Sequence, residues 1–108
     1  MKKASLSIII PAYNEEVSLE YVLKDTIKNL PKLTPNFEII VVDDGSTDST
    51  LQIAQTLAKN NKFIKVVHQE HGGFGKALTV GIKLAKREYV THMQANGQDL
   101  IRDMVNSL

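Results

Sequence analysis

Two adjacent carboxylates, Asp43 and Asp44, follow four uninterrupted aliphatic residues, Ile39-Ile40-Val41-Val42, and precede Gly45-Ser46-Thr47-Asp48. Paired acids suit proton transfer, a hard divalent cation, or acceptance of hydrogen bonds from a base N–H or a ribose hydroxyl. Asp-Asp-Gly is also ordinary turn chemistry. A second candidate is the loop Glu70-His71-Gly72-Gly73-Phe74-Gly75, which enters a helical pattern at Lys76. It fails the dinucleotide fingerprint, which needs glycine where Leu78 stands, and the P-loop, which needs Ser or Thr where Ala77 stands. What survives is a helix N-terminus with Lys76 able to meet an anion, against the plain alternative of a tight turn and a solvated lysine. His68, His71 and His92 supply no set of zinc ligands on one face, so strand-end and surface roles are favoured.

The elements that must position these residues alternate. Strands are expected over residues 5–10, 37–42, 63–68 and 89–93, and helices over 15–30, 47–59, 76–86 and from 100 onward. Pro11 closes the first strand, Asn14 is placed to cap the first helix, and Pro31 stops it. Ser46 or Thr47 is placed to cap the second helix, with Asp48 in its first turn. Val17, Leu19, Val22, Leu23, Ile27 and Leu30 form the apolar face of the first helix. Gly81 inside the third helix costs about 1 kcal/mol relative to alanine unless close packing requires it. Alternating strands and helices predict a parallel sheet, most economically of order 3-2-1-4. Reversal of the order between strands one and four opens a crevice at their carboxyl ends, bordered by residues 11–16, 43–46 and 94–99.

Composition narrows the classes. The chain has 108 residues, 43% hydrophobic and 23% charged, which is one small globular domain. A net charge of +1 gives no reason to invoke nucleic acid. Without cysteine, disulfides and thiolate metal sites are excluded. Lys2-Lys3 before residues 6–10 imitates a signal peptide faintly, but the apolar run is too short, and no stretch approaches the length of a bilayer span.

Residues Ser7-Ile8-Ile9-Ile10-Pro11-Ala12-Tyr13-Asn14-Glu15-Glu16 and Val41-Val42-Asp43-Asp44-Gly45-Ser46-Thr47-Asp48-Ser49-Thr50 closely resemble the opening of family 2 glycosyltransferases of the GT-A fold. Gly73-Phe74-Gly75-Lys76-Ala77-Leu78, Gly81-Ile82, Ala85 and Tyr89-Val90 continue the resemblance in register, most closely to polyprenyl- or dolichyl-phosphate mannose or glucose synthases. It implies a Rossmann-like GT-A nucleotide-binding half over residues 1–108, truncated relative to the full family domain, and a cytoplasmic protein working at the membrane face. It also implies a UDP- or GDP-sugar donor, with a polyprenyl phosphate as acceptor.

By position, Pro11, Ala12, Tyr13 and Glu15 would line the base and ribose pocket. Asp43 would bind the base with Asp44 beside it, and Lys76 would lie near the diphosphate. No catalytic base is implied within these residues. The family's Asp-x-Asp motif, which holds Mg²⁺ or Mn²⁺, reads Gln94-Ala95-Asn96 here, leaving Gln98 and Asp99 as residual ligands. Amides add no net charge, so weak metal binding is expected. The alternative is a catalytically dead nucleotide-binding or protein-interaction module. Strand four as an unpaired edge suggests self-association.

Overall fold

The computed structural model describes residues 4–97 and 100, so the helix expected over 100–108 and the residual ligands Gln98 and Asp99 lie outside the described residues. Four strands form one parallel sheet of order β3-β2-β1-β4, as the alternating pattern predicts. They are β1 (Leu6–Ala12), β2 (Phe37–Asp44), β3 (Ile64–Gln69) and β4 (Tyr89–His92). The long helices are α1 (Leu19–Asn29), α2 (Thr50–Lys59) and α3 (Phe74–Leu84), and a single 3₁₀ turn follows α1 at Leu30–Lys32.

Every residue of β2 is buried, because β2 is paired on both sides and covered on both faces. Alternation of side chains divides its contents. Ile39 and Val41 join Ile8, Ile10 and Ala12 in a core with α1 residues Leu19, Val22 and Leu23 and α2 residue Ala54. Ile40 and Val42 join Ile9 and Ala77 beneath α3. A side chain on Gly81 would overlap Ile9 Cγ2, so the glycine inside α3 is the close-packing case. Ala77 and Gly81 are the buried positions of α3, and Ile82 is half exposed.

Strand β1 runs past its expected stop. Pro11 pairs with Val42 and Ala12 with Asp43. The Ile9 carbonyl accepts from Met93 N, so Ile9 turns its polar backbone toward β4. Pro11, two residues on, faces the same side, where β4 has already ended, so no ladder bond is lost there.

The starts of α1 and α2 move later than expected, and that of α3 moves two residues earlier. Asn14 has φ 51° and does not cap α1; its side-chain oxygen accepts the Thr47 N–H at 2.8 Å. Val17 lies outside α1 and is 96% exposed, so it leaves the expected apolar face. The residue before α2 is Ser49, and neither Ser46 nor Thr47 caps the helix. Asp48 precedes α2 and accepts from Thr50 N at 2.9 Å.

Candidate functional site

A cavity of about 390 Å³ opens at the carboxyl ends of β1 and β4, where the strand order reverses. One wall is the end of β1 and its loop: Pro11, Ala12, Tyr13 and Glu15. The turn after β4 supplies Met93, Gln94, Ala95 and Asn96. Asp44 comes from the end of β2, and Phe74 and Ala77 come from the first turns of α3.

Two loops at this rim are stitched together reciprocally. Asn14 N donates to Ser46 Oγ at 3.0 Å, and Thr47 N donates back to Asn14 Oδ1. Glu15 N donates to Thr50 Oγ1 at 2.8 Å, and Ser49 N donates to Glu16 Oε2 at 3.0 Å. Asp48 accepts from Glu16 N at 3.4 Å and, through its other oxygen, from Thr50 N and the Thr50 hydroxyl. Polar side chains thus satisfy backbone donors that precede the helices. The Ser18 hydroxyl donates to Ala95 O at 2.6 Å, tying the same loop to the turn after β4. The loop that lines the cavity is therefore held from both sides.

The two acids separate by strand parity. Asp44 stands on the α3 face and lines the cavity. Its Oδ1 accepts from Gln69 Nε2 and from Gly72 N, each at 2.8 Å, and its Oδ2 accepts from Gly73 N at 3.1 Å. His71 Nδ1 lies 3.0 Å from Oδ2. Burial works to raise the pKa of Asp44, but the bonds from Gln69, Gly72 and Gly73 and the charge of His71 outweigh it and hold the acid below the usual carboxylate range. Gly45 is required beside it: φ is 71°, and a Cβ would stand 2.5 Å from His71 N.

Asp43 faces the other side of the sheet and is fully buried. Its Oδ2 lies 2.8 Å from His68 Nδ1, across the Asp43–His68 register pair, and Oδ1 is buried with no hydrogen-bond partner. It is not among the residues lining the cavity, although its register partner Ala12 is. Lys76 is likewise outside the lining; its side chain lies over Gly72. Pro11, Ala12, Tyr13, Glu15 and Asp44 do converge.

Sequence reasoning missed Phe74, Ala77 and Met93 as walls and Gln69 and His71 as partners of Asp44. Gln69 was accessible in principle, because it is the register neighbour of Asp44. The rings of Tyr13 and His71 lie 4.3 Å apart at the rim, and Phe74 meets His92 edge to face.

A parallel sheet of this order, with a polar crevice at the reversal and strand-end acids on its rim, is a Rossmann-like arrangement, and its matches among solved structures are glycosyltransferases of the GT-A fold. The model of the family Glycosyl transferase family 2 matches residues 7–100, and the chain belongs to that family of transferases. It is 33% identical over 108 residues to a dolichyl-phosphate beta-glucosyltransferase of Dictyostelium discoideum, covering 91% of this chain and 32% of that protein. The structure of S. aureus TarS 1-349 in complex with UDP-GlcNAc aligns with TM-score 0.75 and 35% identity, covering 99% of this chain and 30% of TarS 1-349. The mannosyltransferase PcManGT of Pyrobaculum calidifontis, in complex with GDP-Man and Mn²⁺, aligns with TM-score 0.80 and 25% identity, covering 89% of this chain and 28% of PcManGT. The chain spans about a third of the length of the curated relatives it matches first.

Gln94 and Asn96, where the resemblance puts the metal motif, do not fit a divalent cation. Asn96 Nδ2 donates to Gln94 Oε1 at 2.9 Å, an uncharged amide pair where a hard ion prefers anionic oxygen. Among the described residues no group of three His, Cys, Asp or Glu side chains is placed to hold a metal.

Proposed function

We propose that this chain is the nucleotide-sugar-binding part of a family 2 glycosyltransferase, holding a UDP- or GDP-sugar in the cavity between β1, β4 and α3. The observation that carries this reading is the convergence of Pro11, Ala12, Tyr13, Glu15 and Asp44 on one cavity at the strand-order reversal. The donors bound by TarS and PcManGT support it.

In this reading the half-exposed Tyr13 ring offers a stacking face to the base. Glu15 accepts from a ribose hydroxyl. Asp44 acts chiefly by holding the Gly72-Gly73 turn, whose helix α3 closes the cavity through Phe74 and Ala77. Lys76, at the start of α3 on the solvent side, is available to the diphosphate.

The acceptor we propose is a polyprenyl phosphate at the cytoplasmic membrane face, supported by the dolichyl-phosphate relative. No described helix is long and apolar enough to cross a membrane. Activation of the acceptor by a base is assigned to no residue here, and no step runs through a metal.

Calorimetric titration with UDP, GDP and their sugar conjugates, with and without Mn²⁺, tests the reading. Saturable binding of one nucleoside diphosphate that Tyr13→Ala weakens is expected. Absence of binding to all of them would remove it.

A further inference from the structure

Tyr13 enters the cavity wall with one face of its ring already taken. The imidazole of His71 lies 4.3 Å from the phenol ring, centroid to centroid, at an interplanar angle of 33°. Tyr13 is among the residues that line the cavity, and His71 is not. The imidazole therefore backs the phenol from outside the cavity.

His71 is itself fixed at several points, all on the turn after β2. Its Nδ1 lies 3.0 Å from Asp44 Oδ2 and 3.2 Å from the Asp44 carbonyl oxygen. Both oxygens are acceptors, so Nδ1 carries a proton and donates. The His71 backbone nitrogen sits so close to Gly45 that a Cβ there would stand 2.5 Å away. Gly72 and Gly73, the next two residues, donate their N–H groups to the Asp44 carboxylate. Tyr13 is tethered to the same turn from its own side: Asn14 N donates to Ser46 Oγ, and Thr47 N donates to Asn14 Oδ1. Both rings thus hang from residues 44–47, and their separation is set by that turn.

We propose that His71 is a positioning residue of the donor site: it holds the Tyr13 ring at a preset angle, so that a nucleoside base stacks on a platform already in place. His71 acts through Tyr13 and not on the ligand. The gain is preorganisation. A half-exposed phenol with nothing behind it turns about its side-chain torsions and must be immobilised when a base arrives. Stacked on an anchored imidazole, it gives up that freedom beforehand. Histidine suits the position because it does two things at once. Phenylalanine stacks without the anchor, and asparagine takes the anchor without stacking. The role in binding rests on reading the cavity as a nucleoside-diphosphate site; the stack itself does not.

The experiment follows the Tyr13 ring and the nucleotide affinity in the parent, His71→Ala, His71→Asn, His71→Phe, Tyr13→Ala and the double variant Tyr13→Ala/His71→Ala. With ¹³C-labelled tyrosine, the Tyr13 ring resonances are read in ligand-free protein, and Tyr21 and Tyr89, the other two tyrosines, serve as internal references. UDP and GDP are then titrated by NMR. The Tyr13 signals should move in His71→Ala and His71→Asn while those of Tyr21 and Tyr89 stay in place. Affinity for the nucleotide that binds should fall about two- to tenfold in those two variants, the scale of one aromatic pair, and His71→Phe should recover most of the loss. In the Tyr13→Ala background, removing His71 should cost nothing further, because the residue through which it acts is gone. Unmoved Tyr13 signals in His71→Ala would overturn the stack. An equal loss of affinity from His71→Ala with and without Tyr13 would overturn the positioning role. If neither nucleotide binds any form, the reading of the cavity fails instead, and the ring resonances alone decide whether His71 holds Tyr13.

Discussion

Asp44 Oδ1 accepts the backbone N–H of Gly72 at 2.8 Å, so the acid at the end of β2 holds the turn from which α3 begins. Gly73 N and Gln69 Nε2 complete the same carboxylate. An acid bound this way has most of its lone pairs engaged before any ligand arrives. Its contribution to the cavity is the placement of Phe74 and Ala77.

Asp44→Ala should therefore damage both stability and binding. Removing the carboxylate breaks its bonds from Gly72 N and Gly73 N, and a hydrogen bond to a charged group contributes about 1.5–3 kcal/mol. Denaturant unfolding should show the loss, and calorimetry should show nucleoside-diphosphate affinity falling together with it. A variant that binds as the parent does would mean that the turn does not set the cavity.

Asp43→Asn tests the other acid. Asp43 faces His68 on the opposite side of the sheet and is absent from the cavity lining. Nucleotide affinity measured by calorimetry should change little, by less than the effect of Asp44→Ala, while thermal stability shifts. A larger loss of affinity at Asp43 than at Asp44 would reverse the division of labour drawn from their faces.

Gly81→Ala should destabilise although alanine is the better helix former. Helix propensity favours the change by about 1 kcal/mol. Overpacking against Ile9 costs typically about 1–3 kcal/mol and should win, because Ile9 is fully buried. A lower midpoint of thermal unfolding is the expected outcome.

Glu38 gives a pH dependence away from the cavity. Burial pushes its pKa up, but bonds from the Ser7 hydroxyl, Lys65 and the Lys86 N–H, with the charge of Lys65, outweigh burial and bring it to about 2 from 4.5. Because the folded value is the lower one, the acid stabilises the fold fully above pH 4.5, and the contribution is lost as pH falls toward 2. The shift corresponds to a stabilisation on the order of 3 kcal/mol. Glu38→Gln should flatten stability against pH across that window, as followed by acid titration of the unfolding midpoint.

Much of this was legible in the chain. Runs such as Ile39 to Val42, alternating with helical patterns, dictate a doubly covered parallel sheet, and economy of connection then gives its order. The crevice follows from that order. What the sequence concealed were interactions across loops. Asn14 looks like a local cap for α1, yet its side chain serves Thr47 across the loops, so α1 starts later than the sequence suggests. The roles of Asp43 and Asp44 turn on one residue of parity, since neighbours in a strand face opposite sides. Pattern alone places both at the rim; only their contacts divide them.

The central claim is that a nucleoside diphosphate binds between β1, β4 and α3 through residues of this chain. Its most direct test is a backbone-resolved NMR titration with UDP and GDP in the absence of metal. The expected result is saturable shift changes centred on Tyr13, Glu15, Phe74 and residues 94–96, where the cavity lies. Shift changes confined to other surfaces, or none at concentrations that saturate a family 2 donor site, would contradict it.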